Sequence, residues 1–444
     1  MNEKSWRLSG ARWVDAWLDP AVADEMELNV YGLNEKFYRF AEGRVHQPQH
    51  REIWSVSCRA VWEGCTARRE VRPELFSERK KVFARMRDQA LASGREIPFL
   101  PMIKPPVQYP SIRRWDPALA SFEPADHMTD ALFRFFESHG GEGTGFVTLR
   151  QHLEIYCNVH GVYAEHAWTE WEASLTVEFP EGSFYFECSH WRWTPDEFKR
   201  QLEKLESFVG VRHRTLELKP GRYPTLLLPT AFADLMEFVT WGMNGLEIHE
   251  GSSYLSGKVG AEVFGRNISL YDWWNHPDHD GHFFDGEGVP RQKVTLVQAG
   301  RFEQPVYDRL TAHQVGAEPT GHGLPVPNPW GAMVSATVME GGEKSVDALL
   351  ASMDEGLVIP RTWYVRLVDP MTVTLTGMTR DGAFWVKNGK PVARIRDMRF
   401  NQSMVEALNR VVDLGAPVRA GEEFGKSVVP PVLVDGFHFT AHIY

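Results

Sequence analysis

The chain has 444 residues, of which 43% are hydrophobic and 24% charged, with a formal net charge of -11 at pH 7. A single core stops growing at about 250–300 residues, so two domains are expected, and the ordinary composition excludes disordered and fibrous classes. The acidic surplus argues against nucleic acid as a partner, because a phosphate-binding surface needs a dense field of Lys and Arg.

No run of eighteen apolar residues appears, and the first ten residues lack an apolar stretch after their lysine. No membrane partner is expected, and the reading is cytoplasmic. Cys58, Cys65, Cys157 and Cys188 share no CxxC spacing, which points to buried free thiols and not to a disulfide framework. The 16 Trp are numerous, and filling of cores and subunit interfaces is favoured over stacking surfaces.

Residues 27–71 alternate polar and apolar positions between turn signals at Gly32, Gly43 and Gly64, the pattern of an antiparallel meander. A helix is expected over 72–92, with Pro73 in its first turn and Leu75, Val82, Met86 and Leu91 near helical spacing. Residues 97–117 contain six prolines and must be an extended connector. A second helix is expected over 126–138, strands over 146–179 with a turn at Asn158 and Gly161, and a third helix over 194–209. Pro220, Gly221 and Pro224 mark the expected boundary between an N-terminal mixed α/β domain, 1–219, and a C-terminal β-rich domain, 220–444. Beyond it come a helix from Pro229 and many short Gly-punctuated strands, which predict an antiparallel barrel-like sheet. The fold class is α+β.

Several C-terminal segments carry a family resemblance through their order and spacing. They include SYLSGKVG from Ser253, the cluster Asp285, Glu287 and Gly288, then Gly300, Tyr307-Asp308 and Thr311-Ala312. The turn Thr320-Gly321-His322 and two longer stretches over 342–359 and 387–415 follow. Together they resemble the TldD/PmbA family, the "modulator of DNA gyrase" group of metallopeptidases. Catalytic members carry HExxxH on a helix, where two imidazoles can meet one zinc. Aligned on Pro229, that motif falls on Glu237, Phe238 and Gly242, and the family's late metal-binding cysteine falls on Phe424. The resemblance therefore implies a TldE/PmbA-like member with no catalytic or metal residue of its own.

Other segments carry candidate ligands or acids of their own. His249-Glu250, with Tyr254 five residues after His249, has the wrong final ligand and reads as a loop. His276, His279 and His282, with Asp278 and Asp280, put potential zinc or nickel ligands close together, although a Pro- and Gly-containing loop is more often a solvated tip. Asp285 and Glu287 could pass for a general acid and base. On an extended segment alternate residues point to opposite faces, so a hydrogen-bonding structural role is expected. Asp285, Glu287, Gly288, Thr320, Gly321 and His322 are the candidates for a cleft or turn. No GxSxG elbow, Walker loop or GxGxxG is present.

The resemblance implies a non-catalytic subunit of a heteromeric zinc metallopeptidase that cleaves unfolded or leader peptides. No cofactor is expected in this chain. Zinc is expected in a TldD-like partner, with an extended peptide as substrate and a dimer or higher oligomer as the assembly. Two alternatives stay open. One is a stand-alone metallopeptidase with its metal at His276, His279 and His282. The other is a module holding a peptide or glycan on Trp191, Trp193, Trp273 and Trp274.

Overall fold

The structure, a computed structural model, describes residues 2–96, 98–121, 123–421 and 425–442. The N-terminal half is built on one antiparallel sheet of six strands: β1 (Glu25–Ala41), β2 (Arg44–Trp62), β3 (Cys65–Val71), β4 (Glu142–Asn158), β5 (Tyr163–Phe179) and β6 (Gly182–His190). Their order across the sheet is β3-β2-β1-β4-β5-β6, and β6 is an edge. Gly43 and Gly64 make the expected turns with positive φ. Gly32 does not. It lies inside β1 opposite Trp54, where a Cβ would come 2.5 Å from the indole. Glycine is needed there for ring room, not for a turn.

Four helices cover one face of this sheet: α1 (Glu3–Trp17), α2 (Arg79–Ser93), α3 (Glu123–His139) and α4 (Pro195–Val209). The sequence pattern did not predict α1. Its apolar residues are sparse, and Gly10 stands mid-helix, yet the Asn2 side chain caps it and Trp6 and Trp17 are wholly buried. A Cβ at Gly10 would fall 2.4 Å from Leu153 Cδ2, so the small residue sets the close helix-to-sheet approach. The helix expected over 72–92 is a 3-10 turn, Pro73–Glu78, followed by α2. Residues from α3 and α4, including Leu132, Phe136, Phe198 and Phe208, share one core with Leu149, Leu175, Leu226, Phe384 and Leu433. Packing thus runs continuously from the N-terminal to the C-terminal half.

Alternation along β4 and β5 puts odd-numbered Val147, Leu149, Trp171 and Leu175 against the helices. Even-numbered Arg150, His152, Glu154, His166, Glu170 and Glu172 therefore line the other face. That polar face is covered by the C-terminal half.

The C-terminal half holds α5 (Pro229–Trp241) and two further sheets. One has ten strands and ends at Thr362–Asp369 on one side and Thr215–Leu216 on the other; the second has six short strands. Neither closes, so the barrel-like expectation is corrected to open sheets wrapped on a core around Phe232, Leu235, Met236 and Val239 of α5. Pairing is also mixed: Glu355–Ile359 runs parallel to Gly221–Leu227, and Thr337–Met339 parallel to Ser427–Val429. Pro224 is tolerated inside a central strand because the register slips there, between Val434 and Phe437. The four cysteines are free and buried. Among the described residues no helix is long and apolar enough to cross a membrane.

Candidate functional site

Helix α5 starts with Pro229 at its first turn and buries most of its length, including Ala233, Met236 and Phe238. Burial raises the Glu237 carboxyl, which accepts a hydrogen bond from Trp241 Nε1 at 3.0 Å. Phe238 lies in the core. The helix ends at Trp241, and a Cβ on Gly242 would meet the Tyr254 ring at 2.5 Å. An imidazole cannot occupy that position. Glu237, Phe238 and Gly242 together do not fit a zinc ion. Phe424 lies outside the described residues.

His249 and Glu250 are not in a loop: they form the last turn of α6 (Gly245–Glu250), which Asn244 caps and Gly251 ends in a left-handed conformation. Tyr254 lies beyond that helix and is buried, its hydroxyl donating to the Val239 carbonyl, whereas His249 is exposed. That hydrogen bond, with the ring packed on Gly242, holds Tyr254 against α5.

The histidine loop is not a solvated tip but lies against the polar face of the N-terminal sheet. His279 is buried, with Nε2 3.1 Å from the Thr337 carbonyl; burial, with Arg419 nearby, pushes it down to about 4. His282 Nε2 lies 2.7 Å from Glu154. His276 Nδ1 lies 3.9 Å from Asp278, whose other oxygen lies 3.2 Å from His190. The Asp280 carbonyl meets His166 Nε2 at 2.8 Å, and Arg114 donates to the carbonyls of His276 and His279. Each imidazole therefore has its own partner. Among the described residues no three His, Cys, Asp or Glu side chains are placed to share a cation.

The structure draws the turn candidates together. Asp285 Oδ1 accepts from the amides of Glu287 (2.9 Å) and Val289 (2.8 Å), and its Oδ2 accepts from Gly323 at 2.8 Å. The segment is thus a side-chain-capped turn with Gly288 at positive φ, not an extended strand. The expectation that the two carboxylates point to opposite faces is corrected: a Cβ on Gly323 would fall 2.3 Å from Glu287 Oε2, so both acids abut Gly323. Glu287 also accepts from the Arg309 amide at 3.0 Å, at the start of α7 (Arg309–Val315). Burial raises both carboxyls, and Asp285 adds to the rise at Glu287.

His322 is buried with Nδ1 2.9 Å from Thr320 Oγ1 and Nε2 3.1 Å from Asp272 Oδ1. Burial alone would raise Asp272, but His322 and Arg291 hold its carboxyl well below the usual range. This Asp-His-Thr chain has the order of a nucleophilic triad without its exposure. Thr320 Oγ1 already accepts from the Tyr307 amide and donates to the Tyr307 carbonyl, so it has no lone proton aimed at a substrate. The arrangement ties 272, 307 and 320–323 together. Asp272 and Arg291 escaped the sequence reading; the signal available was a lone acid closing the apolar run ISLYD.

A cavity of about 540 Å³ opens elsewhere, between β6, α4 and residues 416–420. Phe184, Phe208 and Phe384 give it apolar walls, and Lys204, Glu197 and Arg419 add charge. Its two sides include edge strands, β6 and Val418–Ala420. Beside it Arg419 pairs with Glu170 at 2.7 Å, and Lys426 pairs with Glu172 at 3.2 Å and with Glu187.

A family model of the PmbA/TldA metallopeptidase C-terminal domain matches residues 220–441, half of the chain. The chain belongs to the PmbA/TldD metallopeptidase family. It is 24% identical to an uncharacterized protein of Methanocaldococcus jannaschii over 303 residues, covering 63% of this chain and 65% of that protein. It is 24% identical to the metalloprotease PmbA of Escherichia coli over 298 residues (64% and 62%) and 25% identical to a metalloprotease TldD homolog of Buchnera aphidicola over 203 residues (43% and 40%). The matches thus span less than two-thirds of these relatives' lengths. TldE from Thermococcus kodakarensis shares the fold at a TM-score of 0.83 and 17% identity, over 95% of this chain and 98% of that one. A candidate modulator of a DNA gyrase from Thermotoga maritima does so at 0.77 and 22%, over 94% and 96%. In PmbA/TldD terms, residues 285–323 lie within the matched C-terminal domain.

Proposed function

We propose that this chain is the metal-free subunit of a two-subunit metallopeptidase, which shapes the cleft and holds an extended peptide while a TldD-like partner carries the zinc. The observation that carries this reading is the Tyr254 ring packed against Gly242, which leaves no room for a ligand where family members with HExxxH place their second histidine. The cavity supports the peptide side of it. Two strand edges that hydrogen-bond to no further strand among the described residues, β6 and Val418–Ala420, border one space. Main-chain hydrogen bonds to such edges bind peptides without demanding a sequence.

The chain purified alone is expected to hold far less than one zinc per molecule and to leave an unstructured peptide uncut. Mixed with a TldD-like paralogue bearing intact HExxxH, it is expected to form a complex with chelator-sensitive cleavage above that of the paralogue alone. Stoichiometric zinc in this chain alone, lost on His279→Ala, would move the chemistry to the histidine loop and overturn the reading.

A further inference from the structure

The cavity beside β6 has two unlike sides. Phe184, Phe186 and Cys188 stand opposite Val177, Leu175 and Ala173 and so point to the helix side of the sheet, while Tyr185, Glu187 and Ser189 point to its polar side. On the helix side the rings close on one another: Phe384 stacks on Phe184 at 5.8 Å and on Phe208 at 4.7 Å. Lys204 stands one turn back from Phe208 on α4, where its charge is felt at the Cys188 thiol. On the polar side Ser189 is buried, and its Oγ has no hydrogen-bond partner among the described residues. A buried hydroxyl left without a bond is costly, and a ligand group that supplies the bond removes the cost.

Most charges around this space are already matched. Lys426 is held by Glu172 and Glu187, Arg419 by Glu170, and Lys344 by Asp413. On α4, Arg200 and Gln201 both bind Glu197. Arg192 and Glu343, both exposed at the rim, offset each other. Lys204 is half-buried in the wall and pairs with no carboxylate among the described residues.

A peptide added to the β6 edge sends alternate side chains to these two sides. Residues two apart on a strand are about 6.6 Å apart, and residues four apart on a helix about 6 Å, so neighbouring same-side positions of the peptide match Phe208 and Lys204. We infer that the cavity selects an extended peptide with an apolar side chain and, two residues from it, an acidic one, separated by a polar residue that faces Ser189. The apolar side chain enters beside Phe208 and the carboxylate pairs with Lys204. The inference rests on the peptide-holding role proposed above and adds the class of peptide held.

Fluorescence anisotropy of short labelled peptides with the full chain tests it, with circular dichroism melts confirming that each variant is folded. In a Gly-Ser background, Phe-Ser-Glu or its reverse, Glu-Ser-Phe, is expected to bind at least about fivefold more tightly than the versions with Lys for Glu or Ala for Phe. Phe-Glu-Ser, which sends the acid to the polar side, is expected to lose the same advantage. Lys204→Glu is expected to reverse the preference between Glu and Lys peptides, whereas Lys199→Glu, on the same helix but outside the cavity, is expected to keep it. Affinity indifferent to the pattern, or a preference for Glu that survives Lys204→Glu, would overturn the inference and leave the peptide-holding role standing. Failure of every peptide to bind would overturn both.

Discussion

At Gly321 the backbone is left-handed (φ 75°), and a Cβ would fall 2.4 Å from the Pro290 carbonyl oxygen and 2.7 Å from Arg291 Cα. Gly321→Val adds strain of about 1–3 kcal/mol and a clash with backbone that cannot rotate away. A clearly lowered melting temperature is expected, and a variant melting with the parent would refute the close approach. Glu287 offers a second test. Its folded carboxyl is raised by burial and by Asp285, so the stability it contributes is fully present below the unfolded carboxylate range. That contribution is lost as pH rises through the raised folded value. The parent should therefore melt lower in mildly alkaline than in mildly acidic buffer, and Glu287→Gln should flatten the slope. An unchanged slope would show that the pair does not carry it. The turn residues were legible because glycine punctuation and a short polar side chain act within a few positions. Asp272 was not, since its partner His322 stands fifty positions away and no local spacing links them.

The elements divide along the same line. Strands β1 to β5, α3 and α4 announce themselves by period and by turn residues, because each buries one regular face, whereas β6 was not read from the sequence. Helix α1 does not announce itself either: it rests on two tryptophans and one glycine contact, and those depend on a sheet laid down later. The polar face of β4 to β6 is sealed by residues 278–282, Arg419 and Lys426. Lys426 is the test of that seal. It sits between Glu172 and Glu187 and donates to the Gly421 carbonyl at 2.6 Å. Lys426→Met leaves buried acids without their cation, which costs about 3–5 kcal/mol, whereas Lys344→Met, at a half-exposed pair with Asp413, should cost about 1 kcal/mol or less. Urea unfolding of the two variants measures the difference; equal midpoints would mean that the Lys426 network is no tighter than a surface pair.

At the scale of the whole molecule, the α+β class and the β-rich C-terminal half were readable from alternation and glycine spacing, but closure was not. Whether short strands close depends on which edges meet, and a two-residue strand such as Thr215–Leu216 has no periodicity to reveal its place. Trp330 is 73% exposed while Trp274 is buried, a distinction that residue type alone does not carry.

The proline-rich connector has a consequence for how the chain comes into being. Ile103, Val107, Tyr109 and Ile112 lie against Trp274, Phe283 and Phe284; Tyr109 donates to the Gly288 carbonyl, and Arg309 reaches back to Pro101. The connector leaves the ribosome well before the surface that receives it. Until residues 274–288 emerge, this ribbon has no seat, and its apolar side chains stand open to proteases and chaperones. Synthesis of residues 274–288 is thus what locks down a segment made in the first third of the chain, and a message truncated after β6 would release a product whose middle cannot be put away.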